Sequence, residues 1–95
     1  MENTIKTEKL PLYSGKEGFG TFRVPANVDE MEAHCAKHGH IWCRANGGDA
    51  RRVKINGAVR RWKRDRTRIE VPIKYGLYEY ATLTSTDIER VLIPV

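Results

Sequence analysis

The chain has 95 residues, 40% hydrophobic and 31% charged. That is enough for one small domain, too little for two, and too apolar for general disorder. No apolar run approaches the ~20 residues that cross a bilayer. The formal net charge is +5, but it is unevenly spread: Arg44 to Arg68 holds ten Lys or Arg and two acids, and the remainder holds seven bases and ten acids. A strongly basic segment on a mildly acidic body points to a polyanionic partner, DNA or RNA.

Residues 1–17 are polar and read as a flexible N-terminal arm, leaving 18–95 as the folded domain. Where the arm meets the domain, "GKEGFG" (15–20) lacks the Lys-Ser/Thr ending of a phosphate loop and reads as a turn. The opening "MENTIKTEKL" carries no apolar signal segment, so a cytoplasmic location is expected. "FGTFRVP" (19–25) is a short strand stopped by Pro25. A helix is predicted over 27–38, with Asn27 as cap, Glu30 completing a capping box, and acids near its positive end. Val28, Met31 and Cys35 form its apolar stripe, and Gly39 is the expected left-handed stop.

From His40 the period becomes two. "HIWCR" (40–44) is a strand, "ANGGDA" (45–50) a turn and "RRVKI" (51–55) a second strand. Asn56–Gly57 suits a tight type I′ turn, so "AVRRWKR" (58–64) is expected to return beside 51–55 as a hairpin. "RIEVPIKYG" (68–76) alternates cleanly, but Pro72 cannot donate to a ladder, which makes the strand an edge or a bulged one. "LYEYATLT" (77–84) follows. "STDIER" (85–90) is one helical turn, with Thr86 and Glu89 as a capping pair, and "VLIPV" (91–95) is a last strand. The whole is an α+β protein. About five short antiparallel strands over 40–95, with a helical turn before the last, resemble an SH3-like barrel with one packed helix.

The basic hairpin of residues 51–68 is the candidate nucleic-acid surface. Arg51, Arg52, Lys54, Arg60, Arg61, Lys63, Arg64, Arg66 and Arg68 are the phosphate contacts expected from it, and binding through them falls with salt. Alternation puts Arg60, Trp62 and Arg64 on one face. The burial preference of tryptophan makes Trp62 a core residue first and a base-stacking platform second. Tyr78 and Tyr80 share a face opposite Leu77, Ala81 and Leu83, and form a second contact surface if the leucines are buried.

His34, Cys35, His38, His40 and Cys43 hold every histidine and cysteine of the chain. His34, His38, His40 and Cys43 are the only set with a zinc-like spacing, but His40 and Cys43 would point to opposite faces of a strand, so no metal is expected. Both cysteines are expected as free thiols. There is no paired-acid, triad or cofactor motif, so neither an enzyme nor a cofactor is expected. The alternative to nucleic-acid binding is a small phage-type or mobile-element module that docks on a host protein or nucleic-acid machine and inhibits it. Nothing in the sequence fixes oligomeric state.

Overall fold

A computed structural model describes residues 7–12, 18–45 and 47–95. Its elements are β1 (Glu8–Pro11), β2 (Phe19–Arg23), α1 (Val28–Lys37), β3 (His40–Arg44), β4 (Ala50–Ile55), β5 (Arg60–Arg61), β6 (Ile69–Lys74), β7 (Tyr80–Thr84), a 3₁₀ helix (Ser85–Arg90) and β8 (Val91–Pro94). The eight strands form one sheet in the order β1-β2-β8-β3-β4-β6, with β5 and β7 both paired to β6. Every named strand pair is antiparallel.

The sheet is open, and the expected closed barrel is not formed. The 3₁₀ helix carries the chain from β7 across to β8, and β8 pairs with β2 and β3 rather than with β7. The expected arm lies largely outside the described residues. Its described part includes β1, which pairs with β2 from Glu8↔Phe22 to Pro11↔Phe19.

Helix α1 starts as its sequence dictates. The Asn27 side chain accepts from the Glu30 backbone N–H at 2.9 Å. Only half of the expected capping box forms, because the Glu30 carboxylate turns to the Ala26 N–H and to Arg23, whose two guanidinium nitrogens lie 2.8 and 2.7 Å from its oxygens. These bonds hold the Glu30 carboxyl at about 2, below its usual range, with the Arg23 hydrogen bond as the largest cause. The helix ends at His38 in extended backbone, so Gly39 is not the left-handed stop its type suggested. The capping pair of the 3₁₀ helix also falls earlier, on Thr84 and Asp87 rather than Thr86 and Glu89.

Two apolar clusters use the two faces of the sheet. On the inner face, Met31 and Cys35 of α1 pack on Ile41, Val53, Ile69, Val71 and Val91. Burying each aliphatic side chain contributes roughly 1.5–3 kcal/mol. On the outer face, Phe22, Ala50 and Leu92 gather with Leu10, Leu12 and Trp42. A single parallel bridge, Leu12↔Ala50, ties the end of β1 to the start of β4 there. Val91 and Leu92 are both fully buried because β8 is central and covered on both sides.

The largest departure from the sequence pattern is at Asn56–Gly57. No hairpin turns there. Strand β4 pairs with β6 through Lys54↔Lys74 and Ile55↔Ile73, and β5 pairs with the same β6 through Arg60↔Glu70 and Arg61↔Ile69. Both run antiparallel to β6, and β7 occupies its other side. So β4 and β5 are one line of chain interrupted by a bulge. Residues 56–59 lie opposite only Val71 and Pro72. The Pro72 carbonyl accepts from the Asn56 N–H at 2.8 Å. Its nitrogen faces the same way, toward the bulge, where no ladder donor is required. Pro72 is therefore internal to the sheet and bulged against, the second of the two expected alternatives. Gly57 takes φ +133°, and a Cβ there would lie 3.1 Å from the Pro72 ring.

Gly57→Ala is expected to lower the unfolding free energy by about 1–3 kcal/mol. Gly39→Ala, at ordinary φ and in open space, is expected to be neutral or stabilising; denaturant titration of both variants checks this. Glu30 has a folded-state pKa below its unfolded one, so its contribution is complete above about 4.5 and disappears as pH falls toward about 2. Glu30→Gln should be less stable than the wild type at neutral pH, and the gap should close over that window in acid unfolding curves.

Candidate nucleic-acid interface

Residues paired directly across antiparallel strands share a face. The register therefore assigns the outer face: His40, Trp42 and Arg44 on β3; Ala50, Arg52 and Lys54 on β4; Arg60 on β5; Glu70, Pro72 and Lys74 on β6; Tyr80, Thr82 and Thr84 on β7. The β1–β2 hairpin covers the Trp42 end. Arg52, Lys54 and Arg60 are exposed and make no ion pair or hydrogen bond among the described residues. Lys54 and Lys74 stand directly opposite each other. A like-charge cross-strand pair opposes folding, so the core does not account for it. Glu70 is the only acid among these strand positions.

The turn that follows β5 is the true hairpin end. The Trp62 N–H donates to the Arg68 carbonyl at 2.9 Å and the Arg68 N–H to the Asp65 carbonyl at 3.0 Å. Asp65 accepts from the Thr67 N–H at 3.0 Å and from its hydroxyl, which lowers the Asp65 pKa, the hydroxyl bond being the larger cause. Lys63, Arg64, Arg66 and Arg68 are exposed around this turn.

Trp62 is 40% exposed, so the core position favoured by its residue type is not the one it takes. The Arg68 guanidinium lies over its ring at 4.5 Å. Tyr80 is 56% exposed, with Lys74 5.6 Å from its ring centre. Each of these two outer-face rings thus carries a cation at its side, an arrangement that offers a base a stacking surface and its phosphate a counter-charge. Tyr78 is 89% exposed beside an exposed Leu77. Leu77 does not join Leu83 in the core, because residues 76–78 form a bend that lifts it off the sheet.

Two of the expected phosphate contacts face the other way. Arg61 is on the inner face, where it bridges Asp29 at 2.7 Å and Glu32 at 2.9 Å on α1 and donates to the Arg66 carbonyl. Its role here is to pin the hairpin to the helix. Arg51 donates to the Tyr75 carbonyl at 2.8 Å and lies 5.4 Å from the Tyr75 ring. Lys74 lies outside the segment that sequence reasoning singles out, although its alternation with Glu70 along 68–76 is visible there. Only the cross-strand register shows that it stands beside Lys54.

The three histidines line one hollow beside Trp42 and Arg52, with neither cysteine among its lining residues. Among the described residues no group of three or more His, Cys, Asp or Glu side chains could hold a metal. Cys43 points into the core and His40 to the outer face. His34 and His38 stack with ring centres 4.7 Å apart. Burial, then His38 and Arg23, lower the His34 pKa against an opposing effect of Glu30. Burial raises the Cys35 thiol to about 11 and the Cys43 thiol to about 12.

No protein-family model, curated protein or solved structure matches this chain. No helix among the described residues is long and apolar enough to cross a membrane.

The thiol shifts make a direct expectation. At pH 8 neither cysteine of the folded protein should react with iodoacetamide in the time a denatured sample is fully modified, as mass spectrometry of the alkylated chain would record.

Proposed function

We propose that this protein is a non-catalytic nucleic-acid-binding domain that uses the outer face of its sheet. The observation that carries the proposal is the run of Arg52, Lys54, Lys74 and Arg60 on one face, with Lys54 directly opposite Lys74 and one carboxylate among them. That arrangement opposes folding and is offset by a polyanion. Trp62 and Tyr80 supply stacking surfaces at its margin. Lys63, Arg64, Arg66 and Arg68 extend the field around the 62–68 turn. In this reading Arg61 acts through the helix rather than on phosphate. The strand order β8-β3-β4-β6-β7, with a 3₁₀ helix before the last strand, supports an SH3-like reading of the fold. Two free, buried thiols suit a reducing compartment and support a cytoplasmic location.

A second reading is favoured by the exposed Leu77, Tyr78 and Tyr80. These residues form an apolar corner suited to a protein partner, as in a phage-type inhibitor of a host machine. Under this reading, capture of a partner would persist after nuclease treatment and disappear in a Tyr78→Ala, Tyr80→Ala variant.

For the leading reading, log affinity for a labelled oligonucleotide should fall linearly with log salt. Arg52→Gln combined with Lys54→Gln should flatten that line by about 0.7 for each single-strand phosphate that the variant no longer neutralises. Arg61→Gln should leave the slope unchanged and lower the melting temperature. Binding that is insensitive to salt would refute the proposal.

A further inference from the structure

The bulge between β4 and β5 opens a hollow of about 310 Å³ on the outer face. Asn56, Gly57, Arg60, Glu70, Pro72 and Thr82 line it. It lies within the cationic face. On one side is the cross-strand row Lys54–Lys74–Tyr80, and on the other are Arg60–Glu70–Thr84 and then Trp62 with Arg68. Along β6 the two flanking rows are four residues apart, roughly 13 Å.

We propose that this hollow receives one unpaired guanine of a single-stranded nucleic acid, an inference that rests on the nucleic-acid reading above. The floor suits a flat ring, because it includes the Pro72 pyrrolidine and the side-chain-free Gly57, where an added Cβ would lie 3.1 Å from the Pro72 ring. Cations flank the hollow where the phosphates on either side of a docked base would run.

Glu70 decides which base. It is the only acid at the strand positions of this face from β3 to β7, Glu8 on β1 being bridged to Arg44; it is half-buried, and its carboxylate has no hydrogen bond or ion pair among the described residues. A phosphate is repelled by such a group, whereas the donor edge of a base is attracted. Guanine presents N1–H and N2–H side by side on its Watson–Crick edge. Two parallel donors match the two oxygens of a carboxylate, as a guanidinium does. Adenine and cytosine present one amino donor beside a ring acceptor that would face the second oxygen. Thymine and uracil present one N–H flanked by two carbonyls. In a duplex this edge is already paired, so only a single strand can offer it.

The test is fluorescence anisotropy with labelled DNA strands about ten nucleotides long, within the ~4–16 nucleotide footprint of small single-strand-binding domains. The strands are all-thymidine, thymidine with one central guanosine, thymidine with one central adenosine, and the duplex of the guanosine strand. The guanosine strand should bind about tenfold more tightly than the other two single strands, as expected for one bidentate base contact, and more tightly than its duplex. Glu70→Gln presents a donor in place of one acceptor. It should remove the guanosine preference while leaving the salt slope and the melting temperature unchanged. Equal binding of the three single strands, tighter binding of the duplex, or a preference that survives in Glu70→Gln would overturn the guanine site and leave the nucleic-acid reading standing. Failure of every strand to bind at low salt would overturn that reading as well.

Discussion

Pro72 has no N–H to give the strand beside it, and β6 nevertheless runs through the middle of the sheet with partners on both sides. The neighbouring chain solves this by placing four residues, 56–59, opposite two. Because the excess is two, the side-chain alternation is preserved. Arg60 and Trp62 return to the face already occupied by Arg52 and Lys54, and Arg61 returns to the core face. An excess of one would have sent Arg61 outward and aimed Arg60 and Trp62 at the helix. The continuity of the basic face, the hollow within it and the anchoring of the hairpin to α1 all depend on that parity.

Opposite duties fall on adjacent residues of β5. Arg60 faces solvent across from Glu70, and Arg61 reaches Asp29 and Glu32. The acids of the first helical turns thus act twice, complementing the helix dipole and holding the start of the basic turn. This partition changes how the positive charge is distributed over the fold. The basic segment does not present one uniform cationic surface, because Arg51 and Arg61 serve the inner face while Lys74, from outside the segment, serves the outer one.

Much of the local structure is legible in the sequence. The helix follows from its cap and its stripe of Met31 and Cys35. Strands 19–23, 40–44, 69–74 and 80–84 follow from apolar alternation. The proline at 72 announces a bulge or an edge. Trp62 is not legible, because burial preference describes a residue type and the exposure of a given ring depends on whether its strand lies over the core or projects past it. Leu77 misleads for a related reason: strand parity groups it with Leu83, but the chain bends at 76–78 before β7 begins.

Sequence alone establishes the helix and most of the strands, though not β1 in the stretch read as an arm, that positive charge is concentrated in one stretch, and that residues two apart along a strand share a face. These follow from backbone geometry and side-chain type, which act over a few residues. Three features come only with the assembled sheet: Asn56–Gly57 bulges rather than turns, Lys74 stands beside Lys54, and Glu70 sits in a hollow among cations with no partner among the described residues. Each of those depends on which strand lies beside which and in what register. Register is set by burying Ile55, Ile69, Val71 and Ile73 together against the helix, a condition on the whole sheet that no short stretch carries.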